Sequence, residues 1–458
     1  MCYRTTMPER PSLLSAPVPA LVRSIAVPAS VGYLFNTLYN VVDTWYAGRL
    51  STDALAALGL SFPVFFAVIA VASGLATGVS ALVANTIGSG RPDEARTLGA
   101  QALTFTALAS LVLSIAGFVL VDRVFTWMGA APGPAALAAD YMRIVFAGSI
   151  FFNLTHVLNA LLVARGDTHT YRNVLVLGLL LNVVLDPWFI YGGFGLPALG
   201  FDGIAWSTAL IQVISAAYLY RVVRRRDALP RLTRVALALP ARTAADLLRQ
   251  SGPAMLNMAT IGLGILVITY FVNRHGSAAV AAYGIATRIE QIILLPAIGL
   301  NMAVLAIAGQ NNGAGRPDRV RETVRAALRF GLLTLIPALA LMLVWPRQAM
   351  ALFTRDAVVI AVGADYLRVA SLLVYAYVLL FTLTAALQAV KQPLYAIWIG
   401  LYRQLLAPLA IILALDHWTT LGLWGIWISI AFTTGSAALF TLWYTRRTLP
   451  RPPTTPPA

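Results

Sequence analysis

The chain has 458 residues, of which 59% are hydrophobic and 11% are charged, and its mean hydropathy is +0.77. Soluble globular domains carry roughly a quarter of their residues as charges, so this composition excludes a soluble protein and indicates a polytopic membrane protein. The formal net charge of +15 comes from arginines in short loops, not from a basic polar domain, so we expect no nucleic-acid partner.

Apolar stretches long enough to cross a bilayer, about 20 residues or more, recur along the whole sequence. They predict an all-α membrane protein with twelve spanning helices. The predicted ranges are about 24–48, 53–85, 95–121, 139–165, 169–191, 203–225, 247–273, 278–310, 322–345, 363–389, 394–415 and 421–445. The single cysteine, Cys2, excludes an internal disulfide and a cysteine-based metal site.

Basic residues concentrate in every second connection between these helices. The connection from Arg221 to Arg249 is the most basic, whereas the loops "GGFGLPALGFD" and "LDHW" contain no arginine or lysine. The positive-inside rule therefore predicts cytoplasmic termini, as an even number of spans requires. Residues 1–23 lack the compact apolar core and cleavage site of a signal peptide, so we expect a cytoplasmic N-terminal segment there and a first span that is retained in the mature protein.

The two halves of the sequence repeat each other without gaps, in a register that we call the repeat register. Pro28 aligns with Pro253, "GRPD" at 90–93 with "GRPD" at 315–318, and "ADYMR" at 139–143 with "ADYLR" at 364–368. Each half has six predicted spans, which favours two lobes related by an axis along the membrane normal. We predict a first lobe at 24–225, a cytoplasmic linker at 226–246, a second lobe at 247–447 and a disordered tail at 448–458.

The first predicted helix carries polar residues that an anchor helix does not need. In "LFNTLYNVVDTWYAG", Asn36 and Tyr39 precede Asp43 by about two turns and one turn, which places all three on one helix face. A charge near the middle of a span costs roughly 2.5–3.5 kcal/mol on insertion scales, so we expect Asp43 to have a functional or structural role that offsets this cost.

The fifth and sixth helices supply matching groups at the same depth. Asn182 precedes Asp186 by one turn, and Asp43, Asp186 and Thr208 all lie roughly 7–8 Å below the predicted outer boundary. Pro187 cannot donate to the carbonyl of Val183, which leaves another oxygen acceptor nearby. This oxygen set suits a proton or Na⁺ and lacks the donors that a transition metal prefers. The alternative is that the aspartates snorkel to water while Asn182 and Thr208 only join helices.

The second lobe contains three charged residues within predicted spans, Arg288, Glu290 and Arg403. Arg288 and Glu290 are separated by a single residue and face different directions, so they are not expected to pair. Glu290 either meets Arg403 as a buried structural pair or lines a cavity. No ATP-binding or Ser/His/Asp pattern is present, so any transport would draw its energy from a gradient.

Several motifs resemble the MATE (multidrug and toxic compound extrusion) family over nearly the whole chain. They are "GRPDEAR" after the second helix, "LLVARGDT" after the fourth, "NVVLDPWFIYGGFG" in the fifth and "AGQNNGAGRPDRVR" in the second lobe, together with Pro28 and Asp43 in the first helix. The resemblance implies two six-helix lobes around a central cavity that exports cationic or amphipathic compounds in exchange for H⁺ or Na⁺. The NorM-like branch has acidic residues in helices seven and ten. In this chain the seventh predicted helix has none, and the tenth has none after Asp365. The chain is therefore more similar to the DinF-like branch.

Carried over residue by residue, the resemblance implies a cation-coupling cluster of Asp43, Asn182, Asp186 and Thr208, with Tyr39 in its hydrogen-bond network and Na⁺ or H⁺ as the coupling ion. It also implies that Asn36, Tyr39 and Asn159 face the substrate. We expect helix kinks at Pro28, Pro187 and Pro253, with a shift at Pro28 as the ion binds.

The predicted function is therefore secondary active multidrug efflux by rocking of two lobes. The resemblance implies a multi-pass protein of the bacterial inner membrane. We expect a monomer in membrane lipid, with no enzymatic activity and no cofactor beyond the coupling ion. One alternative is a lipid-linked oligosaccharide flippase of the same superfamily. Such proteins commonly hold several cavity arginines or lysines, whereas only Arg288 and Arg403 are available here. A remote alternative is a membrane enzyme that uses the two aspartates as an acid/base dyad.

Overall fold

The computed structural model describes residues 12–193, 195–230 and 233–450, and these form a bundle of long helices. Cys2 and residues 451–458 of the predicted tail lie outside the described residues. The first lobe consists of α1 (Val18–Leu50), α2 (Thr52–Gly88), α3 (Pro92–Trp127), α4 (Pro132–Val163), α5 (His169–Tyr191) and α6 (Asp202–Arg225).

A short helix, α7 (Arg234–Leu237), lies in the linker between the lobes. The second lobe consists of α8 (Ala241–Asn273), α9 (Ser277–Ile293), α10 (Leu295–Gly313), α11 (Pro317–Thr334), α12 (Ile336–Val344), α13 (Pro346–Ala351), α14 (Ala357–Ala389), α15 (Leu394–Leu401), a π-helical segment (Tyr402–Leu406), α16 (Ala407–Trp418) and α17 (Leu423–Thr448).

The twelve-helix prediction is confirmed within the described ranges, with one qualification for the eighth span. Eleven helical segments are long and apolar enough to cross a membrane, and α9 with α10 forms a twelfth that is bent by 42°. Pro296 follows the break at Leu294 and cannot donate to the preceding turn, which accounts for the bend. Helices α1, α5 and α8 are continuous across Pro28, Pro187 and Pro253.

Several helices are longer than the hydropathy of the sequence predicts. α1 begins at Val18, not at 24, and α8 begins at Ala241, within the predicted linker. The additional turns carry charged residues such as Arg23 and Asp246. Apolar periodicity marks only the part of a helix that crosses the bilayer core, so a helix that extends beyond it into water is predicted too short.

The lobes meet along a seam of small residues that follows the sequence repeat. A side-chain carbon at Gly74 on α2 would lie 2.5 Å from the backbone nitrogen of Met255 on α8, inside van der Waals contact. Gly299 on α10 approaches Ser30 and the carbonyl of Ala26 on α1 just as closely. Gly74 aligns with Gly299 in the repeat register, and Ser30 aligns with Met255, so the seam is two-fold symmetric. Only glycine permits such backbone contact.

Both ends of the described chain are held at the end of the bundle where α2, α4, α10 and α14 terminate, which we call the arginine-rich end. Arg316 donates to the carbonyl of Leu14 at 2.7 Å, Arg319 to that of Ala16 at 2.7 Å, and Arg321 to that of Pro450 at 2.9 Å. Arginines at the start of α11 therefore fix both ends of the described chain to the second lobe by charge-assisted hydrogen bonds.

Candidate functional site

The two membrane carboxylates lie together between α1 and α5. Asp43 is 7% exposed, and Asp186 and Asn182 are fully buried. The side-chain amide of Asn182 donates to Asp43 Oδ1 and to Asp186 Oδ1, at 2.9 Å in both cases. Because Asn182 and Asp186 are one helical turn apart on α5, they present their polar groups to the same point on α1. One amide thus joins both carboxylates.

A serine that the sequence analysis did not identify completes this cluster. The hydroxyl of Ser207 on α6 donates to Asp186 Oδ1 and also contacts the carbonyl of Ile204. Depth and the family resemblance both pointed to Thr208, but one residue along a helix turns the side chain by about 100°. The sequence did offer one signal for the buried face, two small residues one turn apart, Gly203 and Ser207. The structure shows that Gly203 approaches the backbone of α5 closely on that face.

Thr208 instead bonds to Tyr39, and their hydroxyl oxygens are 2.9 Å apart. Thr208 also lines a small cavity with Phe65, Val145 and Phe152. The structure therefore places the Tyr39–Thr208 pair beside the aromatic rings of Phe65 and Phe152. Thr208 and Ser207 lie on adjacent faces of α6.

The two asparagines carried over as substrate contacts lie apart from the carboxylates. Asn36 is exposed on α1, whereas Asn159 is 2% exposed within α4. Asn36 is about two turns before Asp43 on α1. Asn159 is one turn before the end of α4 at the arginine-rich end.

The carbonyl freed by Pro187 has a contact of its own. The hydroxyl of Tyr46 on α1 donates to the carbonyl of Val183 at 3.5 Å. Tyr46 follows Asp43 by nearly one turn, so α1 supplies both the carboxylate and the hydroxyl that meet α5. This carbonyl therefore contributes to helix packing beside the site.

Two oxygen atoms of the cluster have no hydrogen-bond partner among the described residues. They are Asp186 Oδ2 and Asn182 Oδ1, and both are buried. A buried acceptor without a donor is costly unless a proton or a cation reaches it. Carboxylate and amide oxygens are hard ligands, so the residues present fit a proton or Na⁺. The arrangement offers oxygen acceptors of the kind that a proton or a small cation requires.

The second lobe has a separate polar cluster. Glu290 on α9 is 6% exposed and accepts a 2.6 Å hydrogen bond from the hydroxyl of Tyr366 on α14. Of the two alternatives for Glu290, the direct ion pair with Arg403 is not formed, and the Arg403 guanidinium lies over the ring of Tyr377, 5.5 Å from its centre. Arg288 is exposed on the other side of α9.

The carboxylate pair is not repeated in the second lobe. In the repeat register, Ile268 on α8 stands where the first lobe has Asp43, and Phe65 on α2 stands where the second lobe has Glu290. The two lobes therefore share a framework but place their buried acids at different positions. This asymmetry makes the cluster around Asp186 specific to the first lobe.

Comparison with known proteins gives one consistent result. The family model described as MatE matches residues 28–188 and 253–412, two segments whose first residues, Pro28 and Pro253, align in the repeat register. The chain is 26% identical over 420 residues to the probable multidrug resistance protein YoeA of Bacillus subtilis, covering 90% of each chain. It is 29% identical over 412 residues to the FAD transporter of Shewanella oneidensis, covering 88% of this chain and 90% of the relative.

A solved structure described as the outward-facing conformation of a multidrug resistance MATE family transporter of the MOP superfamily has the same fold. It matches with a TM-score of 0.89 and 26% identity, over 95% of this chain and 97% of that one. The structural neighbours and relatives are transporters, and the matched family segments cover most of this sequence. The chain therefore belongs to the MatE family of membrane transporters.

Proposed function

We propose that this protein exports cationic or amphipathic compounds in exchange for H⁺ or Na⁺, by rocking of its two lobes. The observation that carries the proposal is the pair of buried carboxylates joined by Asn182, with Asp186 Oδ2 left without a donor among the described residues. Burial of ionisable groups in a membrane is energetically costly, and the carboxylates found there commonly mark the pathway of a proton or an ion.

The cluster is built to exchange one cation. Two carboxylates that share one amide donor repel each other when both are ionised, and a bound proton or Na⁺ removes that repulsion. Asn182 and Ser207 hold Asp186 Oδ1, so Asp186 Oδ2, Asp43 and Asn182 Oδ1 are the oxygens for the incoming ion. Loss of net negative charge then weakens the hold on a cationic substrate.

The chemistry next to the cluster suits an amphipathic cation. Tyr39 and Thr208 offer hydroxyls, and the cavity beside them has the aromatic side chains of Phe65 and Phe152 in edge-to-face contact, 5.7 Å between ring centres. Aromatic faces attract cations, and the carboxylates supply the opposite charge. Asn36, which shares a face of α1 with Tyr39, extends the polar surface along that helix. The position of the acids in the first lobe agrees with the DinF-like branch.

We also propose the bacterial inner membrane as the location, with the arginine-rich end in the cytoplasm. The support is the concentration of arginine in the loops at that end, which the positive-inside rule assigns to the cytoplasm. A cysteine introduced at exposed Asp93, in a Cys2→Ser background, should react with a membrane-impermeant maleimide only after the cells are opened. Reaction in intact spheroplasts would contradict this orientation.

The proposal is tested by ethidium transport in proteoliposomes under an imposed pH gradient or an imposed Na⁺ gradient. Wild type should move ethidium with at least one of the two gradients, and Asp43→Asn and Asp186→Asn should each lose the gradient-driven component. Asp416→Asn is the matched control, because Asp416 pairs with Arg274 at 3.0 Å away from the cluster. Gradient-driven transport at the wild-type rate in both cluster variants would contradict the coupling site.

Substrate class is decided in the same vesicles with two further compounds. The relative named FAD transporter makes FAD the appropriate anionic comparison. Transport of ethidium but not FAD supports a cationic substrate. Movement of FAD or of a lipid-linked oligosaccharide without ethidium movement would overturn it, and the oligosaccharide result would favour the flippase alternative.

A further inference from the structure

The arginine-rich end is closed by contacts that obey the internal repeat. On α2, the amide of Asn85 donates to the carbonyl of Ala389, the last residue of α14 in the other lobe, at 2.8 Å. On α10, the amide of Gln310 donates to the carbonyl of Ala164, directly after α4, at 2.7 Å. Each bond joins one lobe to the other.

These two bonds are equivalent under the repeat. Asn85 aligns with Gln310 in the repeat register, and the acceptor residue Ala164 aligns with the acceptor residue Ala389. The two contacts are therefore one contact made twice, with donor and acceptor lobes exchanged. The last carbonyls of a helix have no partner within it, so each amide of the other lobe satisfies a group that the helix itself leaves open.

The backbones of α2 and α10 also touch at equivalent glycines. A side-chain carbon at Gly88 would overlap the carbonyl oxygen of Gln310, and one at Gly313 would overlap the carbonyl oxygen of Asn85. Gly88 and Gly313 are again aligned in the repeat register. Asn312 adds an element outside this symmetry, because its amide donates to Asn85 Oδ1 at 2.7 Å.

We propose that Asn85, Gln310, Gly88 and Gly313 form a two-fold symmetric gate that holds the arginine-rich end closed and separates when that end opens. The proposal rests on the rocking motion described above. The four residues set the relative position of the two lobes and do not contact the substrate. Because hydrogen bonds to water replace the inter-lobe bonds on opening, the gate can part without leaving a polar group unsatisfied. The pairing fixes one register of the lobes, since a one-residue slip would bring side chains against carbonyls.

The second lobe's contacts to the N-terminal segment belong to the same end. Asn311, next to Gln310, donates to the carbonyl of Leu13 at 3.1 Å, and Leu13 packs 3.1 Å from the place a side-chain carbon at Gly166 would occupy. Leu13 is thus held between a loop of the first lobe and α10 of the second. Opening of the gate would release this contact as well.

The test measures distances between spin labels in the purified full-length chain, in a Cys2→Ser background. One pair is placed at exposed Asp93 and Asp318, across the arginine-rich end, and a second at exposed Arg123 and Gln348, across the opposite end. A side-chain carbon at Gly88 cannot fit beside the Gln310 carbonyl, so Gly88→Ala should shift the first distance to longer values and the second to shorter values, with the closed population reduced by about tenfold or more.

Gln310→Ala supplies a milder change that does not add an atom to the interface. Loss of one neutral hydrogen bond should lower the ratio of closed to open molecules roughly two- to tenfold. Gly59→Ala and Gly284→Ala are the matched controls, because these helical glycines also align in the repeat register and a side-chain carbon at either has nothing within 4 Å. Both controls should reproduce the wild-type distances.

Wild-type distance distributions in both Gly88→Ala and Gln310→Ala would overturn the gate. Broadening of both distance distributions in Gly88→Ala would indicate loss of the fold. In that case the distances in Gln310→Ala decide whether the gate exists. The distances are recorded without drug or gradient, so the result does not depend on ion coupling. Wild-type transport in Asp43→Asn would contradict the coupling site but not the gate. Wild-type spin-label distances in the gate variants would contradict the gate, whatever the result of the transport assays.

Discussion

Replacement of Asn182 by alanine tests whether the buried cluster carries charge. The variant removes the amide that donates to both Asp43 and Asp186. The same replacement is made in a background in which both aspartates are asparagine. The cavity left by alanine is common to both backgrounds, so the difference between the two costs isolates the interaction of the amide with charge.

The expected magnitude follows from the hydrogen bonds that are lost. A bond to a charged acceptor contributes about 1.5–3 kcal/mol, whereas neutral bonds between membrane helices average about 0.6 kcal/mol. We therefore expect Asn182→Ala to cost about 1–2 kcal/mol more in the native background for each carboxylate that is ionised. At least one ionised carboxylate is required if the pair binds a cation.

The assay is reversible unfolding of the purified protein by sodium dodecyl sulfate, followed by circular dichroism, for the four members of the cycle. Asn153→Ala is the control, because Asn153 is equally buried but donates to the neutral hydroxyl of Ser110 at 2.8 Å. Its cost should be the same in both backgrounds. Equal costs of Asn182→Ala in the two backgrounds, within about 0.5 kcal/mol, would refute a charged cluster.

Two further predictions concern single hydroxyls. Ser207→Ala removes a donor from Asp186 and should reduce gradient-driven ethidium export by about tenfold, whereas Thr208→Val, one residue later, should leave the gradient dependence intact. Equal losses in initial rate would count against the assignment of Ser207. Tyr366→Phe should lower unfolding stability by about 1–3 kcal/mol, and by less than about 1 kcal/mol when Glu290 is glutamine. An unchanged cost beside glutamine would show that the 2.6 Å bond does not stabilise a charge.

The twelve spans were predictable from the sequence because hydrophobic length is a local property that a bilayer imposes directly. The grouping of Asp43, Asn182 and Asp186 was predictable as well, since one-turn spacing on a helix and depth below a boundary can both be counted along the chain. Ser207 was not predictable, because the rotation of α6 about its axis depends on packing against α5, which depth does not report.

Features that depend on contact between distant segments were harder to predict. The helical hydrogen-bond pattern breaks beside Pro296, where α9 and α10 meet at 42°, whereas α1 and α8 continue through Pro28 and Pro253, so a proline alone does not fix where a helix breaks. The sequence left open whether Glu290 meets Arg403; in the structure, two tyrosines of α14 contact them instead, Tyr366 by a hydrogen bond to Glu290 and Tyr377 with its ring under Arg403.

The repeat was visible in the sequence, whereas the gate built from it was not. Asn85 and Gln310 align in the repeat register, but the two side chains differ in length and their partners are backbone carbonyls, which leave no signature in the sequence. Gly74 and Gly299 align in the same way, and only the structure shows that both lie where one lobe's backbone touches the other.

The central claim, that one cation and the drug exclude each other through the carboxylate pair, is tested most directly by equilibrium binding. Affinity of the purified protein for ethidium is measured by fluorescence over a range of pH at fixed Na⁺ and over a range of Na⁺ at fixed pH. We predict that wild type loses affinity as the coupling ion is raised, and that Asp43→Asn/Asp186→Asn binds more weakly with no dependence on either ion. The same ion dependence in this double variant as in wild type would contradict the account.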